Sequence, residues 1–149
     1  MDMQMKLNSA FVRLLSLFAF GVPASAWSAG TESKYAQKQA EDLTSTDVKK
    51  AVAEATGYGP ESLDVTRKPH LVTVTVIDSK LNGAPRGDRE AEAQKIAVAV
   101  ENVISAQPEY SQIWAIHVDY VKTEHGKKHS IQGIDFNKSA AGTFSIHKS

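Results

Sequence analysis

QIWAIHVDYVK, residues 112–122, alternates apolar and polar side chains with a period of two. Trp114, Ile116, Val118 and Tyr120 fall on one face, and His117 and Asp119 on the other, as in a strand with one buried side. Upstream, residues 88–105 (DREAEAQKIAVAVENVIS) repeat at helical spacing. Ala93, Ile96, Ala97, Val100, Val103 and Ile104 share a stripe at about 100° per residue, and Val98 is the one large apolar residue off it. Asp88 stands where a cap is wanted, Glu90 and Glu92 suit the positive end of the dipole, and Gln107-Pro108 stops the helix. Before the helix, residues 70–78 (HLVTVTVID) are dense in β-branched side chains. Val72, Val74 and Val76 lie on one face and Thr73, Thr75 and Ile77 on the other. Strand, helix and strand in this order imply a parallel pair joined by a right-handed crossover.

Two flanking segments extend the unit. Val48, Ala51, Val52 and Ala55 recur at helical spacing behind Thr46-Asp47, a plausible cap, and Gly57 with Pro60 ends that helix. After 112–122, a polar turn around Gly126 leads to a third strand over 130–136. Thr143 to His147 is compatible with a short fourth strand. The expectation is therefore an α/β (α+β) two-layer sandwich of order α-β-α-β-β: a three-stranded mixed sheet with its helices on one face, in a single domain over residues 46–149.

Keeping both apolar sets of the hairpin in the core favours a three-residue loop, His125-Gly126-Lys127, closed by Glu124 opposite Lys128. Val118 then faces Ile134, Ile116 faces Phe136, and on the outer face His117 lands opposite Asp135 with Asp119 opposite Gly133. A register slip of one residue would turn Ile134 and Phe136 outward, so the core selects this pairing.

His117, Asp119 and Asp135 are accordingly the candidate ligand or metal residues. The plainest account of them is a solvated sheet face with cross-strand charge pairs. Imidazole with carboxylates also suits a divalent metal, which would be the cofactor if there is one. No nucleophile motif accompanies them, so no catalytic residue is assigned and an enzyme is not expected. His125 and His129 are four apart in a turn, with Lys127 and Lys128 between them to repel a cation. Arg86-Gly87-Asp88 repeats an adhesion tripeptide but has a structural explanation at a helix start. Gly57-Tyr58-Gly59 lacks the third glycine of a phosphate loop. Asn137-Lys138-Ser139 fits a glycosylation acceptor, a pattern frequent by chance. Trp114 is expected to anchor the core against Ile96 and Val100; exposed to solvent, it would mark a binding surface instead.

The N-terminus sets the compartment. Lys6 and Arg13 precede the apolar run 14–22 (LLSLFAFGV), and Pro23 leads into Ala24-Ser25-Ala26. This is the order of a secretory signal over residues 1–26, with Ala24 and Ala26 at the cleavage site. Residues 27–45 read as a flexible polar leader. Removing Lys6, Arg13 and Asp2 from 17 basic and 17 acidic residues leaves 15 against 16. Such a balance disfavours nucleic acid, which calls for a basic patch, and stable membrane association after cleavage. The chain has no cysteine, so an exported domain of this size must rest on its core. The expected protein is an exported, periplasmic or extracellular, non-enzymatic module. It binds a protein partner, or itself as a homo-oligomer, through its open sheet face or edge strand. The alternative is a periplasmic metal- or small-ligand-binding protein using His117, Asp119 and Asp135.

Overall fold

The computed structural model describes Lys34 and residues 45–147. The expected signal, its cleavage site, and the leader apart from Lys34 and Ser45 lie outside the described residues. Residues 45–56 are helical and are called α1. β1 (Leu63–Lys68), β2 (Leu71–Ile77), α2 (Arg86–Ser105), β3 (Ala115–Glu124), β4 (Lys127–Lys138) and β5 (Phe144–Ile146) follow, with short 3-10 turns at Pro60–Ser62, Lys80–Gly83 and Pro108–Tyr110.

The class is mixed α+β, as expected, but among the described residues the sheet has five strands in the order β1-β2-β3-β4-β5. The three-stranded sheet and the α-β-α-β-β order are corrected to α-β-β-α-β-β-β. β1 is the unanticipated strand. Only Leu63 and Val65 of LDVTRK are buried hydrophobics, too short an alternation to announce a strand. It pairs antiparallel with β2 from Leu63↔Val76 to Lys68↔Leu71. The connecting Pro69-His70 has no residue at positive φ, so the usual hairpin signature is missing. β2 and β3 are parallel across α2, as the strand–helix–strand order implies. The short last strand is present at 144–146 and pairs with Phe136–Lys138.

The core lies between one face of the sheet and the two helices. Val72, Val74, Val76, Ile116, Val118, Tyr120 and Phe136 are fully buried with Val48 and Val52 of α1 and Ile96, Ala97 and Val100 of α2. Removing each Val, Ile or Phe side chain from water is worth about 1.5–3 kcal/mol. Val98 stays outside, 46% exposed. Gly57 closes α1 at φ +76, its N–H donating to the Ala53 carbonyl at 2.8 Å. Two cap assignments are corrected. Thr46 and Asp47 are already helical. α2 begins at Arg86 behind Pro85, so Asp88 sits within its first turn instead of capping it.

The hairpin reaches the expected core register by an unexpected route. Val118 faces Ile134, Ile116 faces Phe136, His117 faces Asp135 and Asp119 faces Gly133. The turn, however, has two residues, not three: Glu124 pairs with Lys127, and His125 and Gly126 both take positive φ, +53 and +74. That is the primed turn whose twist matches a hairpin. Without compensation it would send Ile134 and Phe136 to the wrong face. A bulge corrects it: Tyr120 faces Gln132 and Val121 faces Ser130, leaving Ile131 as the extra residue.

Trp114 does not anchor the core; it is 57% exposed. The strand period starts only at Ala115. Before it, the Ile113 N–H donates to the Tyr110 carbonyl at 2.9 Å, and Ile113 fills the core position instead. The N–H groups of Trp114 and Ala115 both reach the His70 carbonyl, each at 3.2 Å.

Candidate functional site

The face of the sheet opposite the helices collects the polar alternates of every long strand. Across it run Thr66, Thr73, His117 and Asp135 in one row, and Asp64, Thr75, Asp119 and Gly133 in the next. His117 Nδ1 donates to Asp135 Oδ1 at 2.6 Å, because a carboxylate can only accept. The ring leans over Gly133, so close that a Cβ there would lie 2.8 Å from Cε1 and 3.3 Å from Nε2. A glycine is needed at this position to give the imidazole its place. Asp119 turns elsewhere: its Oδ1 accepts from Ser130 Oγ at 2.6 Å. The bulge brings Ser130 level with Val121, within reach of Asp119.

The structure thus joins two of the three expected residues directly, His117 and Asp135, and gives the third a separate partner. Among the described residues no three His, Cys, Asp or Glu side chains converge as a metal ion requires. His125 occupies the hairpin turn itself, and His70 Nδ1 lies 3.0 Å from the Gln112 carbonyl oxygen with its ring 6.3 Å from that of Trp114.

A second polar cluster, not foreseen, sits at the C-terminal ends of β2 and β3, where α2 begins. Arg89 donates through Nη1 to the carbonyls of Leu81 (2.9 Å) and Ala84 (2.7 Å) and through Nε to Gln132 Oε1 (2.6 Å). Glu92 Oε1 accepts from the hydroxyls of Tyr58 (2.8 Å) and Tyr120 (3.2 Å), and Tyr120 donates also toward the Arg89 carbonyl (3.1 Å). Burial raises both phenols, Tyr58 to about 12, with the Glu92 carboxylate adding to the effect. These bonds fasten the β2–α2 connection to β3, β4 and the loop after α1. The only sequence signal was indirect. Tyr120 on a core face requires a partner for its hydroxyl, and Glu92 and Arg89 lie one turn apart at the start of α2. Gln132 reaches Arg89 only because the bulge holds it on the core side.

The helical layer carries a shallow groove of about 610 Å³ between α1 and α2, lined by Ala51, Ala55, Lys95, Val98 and Ala99. Most of its exposed wall is apolar, and Glu54, Gln94, Lys95 and Asn102 stand around it. No protein-family model, curated protein or solved structure matches the chain.

Proposed function

We propose that the protein is a small exported, non-enzymatic binding module that holds a protein partner on the sheet face opposite its helices, in the periplasm or outside the cell. The observation that carries this reading is Trp114, 57% exposed at the end of that sheet. Tryptophan is over-represented among residues that dominate binding energy, and a large exposed ring has no role in the core here. The sheet face opposite the helices is polar, with threonines and the His117–Asp135 pair offering hydrogen bonds. That composition matches a non-obligate interface better than a domain core cut in half. Export is supported by the charge, apolar run and Ala24-Ser25-Ala26 order of residues 1–26.

The test is capture of partners from the native extracytoplasmic extract with the immobilised unmodified chain and three variant chains. Trp114→Ala and Thr73→Arg lose the proteins retained by the unmodified chain, while Val98→Glu on the helical face keeps them. Equal retention by all four chains overturns the reading.

A further inference from the structure

The two edges of the sheet differ in kind. On one side β5 pairs only with Phe136–Lys138 of β4 and the His147 N–H reaches the Asp135 carbonyl, leaving residues 127–134 open. That stretch carries Lys127, Lys128 and the bulge at Ile131, features that deter another strand from pairing. On the other side β1 has, among the described residues, a strand neighbour in β2 alone. Its pairing runs without a bulge over all six residues, and its prolines, Pro60 and Pro69, stand outside the strand. Alternate N–H and carbonyl groups of a regular edge strand are left ready to bond.

The side chains of this edge are complementary to themselves. On the outer face β1 presents Asp64, Thr66 and Lys68, an acid and a base placed symmetrically about a threonine. Neither charge has an ion-pair partner among the described residues. Rotation about a two-fold axis at Thr66 sets Asp64 of one copy opposite Lys68 of the other, twice, with Thr66 facing its own mate. On the core side Val65 then falls opposite Arg67, whose guanidinium lies 4.5 Å over the Tyr110 ring. The neighbouring registers do worse. An axis at Val65 leaves Asp64 opposite Thr66 and Lys68 unpaired, and an axis at Arg67 sets two guanidinium groups against each other.

We propose that the chain forms a homodimer through β1, antiparallel about Thr66, so that two sheets join into one. An isologous contact of this kind closes on itself and does not propagate into fibres. It uses the β1 margin of the sheet and leaves Thr73, Thr75, His117, Asp135 and Trp114 uncovered for the partner proposed above.

Sedimentation of the full chain over a concentration series reads the association. The unmodified chain dimerises. Asp64→Lys and Lys68→Asp each weaken the dimer by about tenfold or more, because each sets like charges opposite one another twice. The combined charge swap restores it to within about threefold. Because the chain has no cysteine, Thr66→Cys supplies a direct geometric check. It crosslinks to its mate on oxidation, and Val98→Cys does not. A chain that stays monomeric to about 0.5 mM, or a dimer indifferent to both charge reversals, overturns the proposal. Scoring partner capture in the single reversals and in the combined swap separates loss of the dimer, which the swap repairs, from loss of an outer-face contact, which it does not.

Discussion

The imidazole of His117 occupies the space that a side chain at Gly133 would fill, 2.8 Å from Cε1 to the position of a Cβ. The bond from His117 Nδ1 to Asp135 Oδ1 at 2.6 Å depends on that vacancy. Gly133→Ala forces the ring to swing away and lose the bond, a loss of about 0.5–1.5 kcal/mol. Replacing glycine within a strand gains roughly 0.5–1 kcal/mol in return. The single substitution is therefore nearly neutral, whereas in a His117→Ala background it stabilises. A double-mutant cycle by urea unfolding reads the difference, and additivity within about 0.3 kcal/mol would show that the two residues are not coupled.

The bulge at Ile131 corrects the parity of the two-residue turn. Deleting Ile131 removes the extra residue and lets the two-residue turn run straight into the core register, with Val118 still opposite Ile134. The expected outcome is retained cooperative thermal unfolding; its loss would show that the bulge is needed for more than parity. Ile131→Ser alone, at a site 41% exposed, changes stability by less than about 1 kcal/mol.

Exposure and burial exchange roles at Ile113 and Trp114. Ile113→Ala opens a cavity at a fully buried site and costs about 2–4 kcal/mol. Trp114→Ala changes stability by about 0.5 kcal/mol or less. Chemical denaturation of the two variants decides the assignment, and a large loss for Trp114→Ala would return that ring to the core.

Tyr120 is fully buried, and its hydroxyl serves both Glu92 and the Arg89 carbonyl. Tyr120→Phe leaves that carbonyl without this donor and costs about 1–2 kcal/mol, measured by denaturant midpoint.

Tyr58 supplies a pH dependence. Its pKa is pushed up to about 12 by burial and by Glu92, so between the ordinary tyrosine value near 10 and about 12 the folded chain holds a proton that the unfolded chain releases. Stability from this group is fully present below pH 10 and falls as pH rises toward 12. Thermal unfolding at pH 9 and pH 11 shows the loss, and Tyr58→Phe makes it smaller. An unchanged slope in that variant would assign the loss to other groups.

Much of this molecule was legible as a linear pattern. The Val72/Val74/Val76 and Ile116/Val118/Tyr120 alternations, with the stripe Ala93, Ile96, Ala97 and Val100 between them, determined a parallel strand pair under a helix. Burying one face leaves no other parity. The same constraint placed His117 opposite Asp135 from sequence alone, since apolar residues on one side of a hairpin fix the polar pairs on the other. The tertiary structure decided what periodicity does not encode. β1 has two buried hydrophobics and becomes a strand only because β2 offers it an open edge. The turn is two residues long because a bulge at Ile131, four residues past β4's start, absorbs the parity error. Trp114 faces water because Ile113 reached the core first. The cluster of Arg89, Glu92, Tyr58, Tyr120 and Gln132 is bonded across up to 43 positions in sequence, and only the packed fold brings those donors and acceptors within bonding distance.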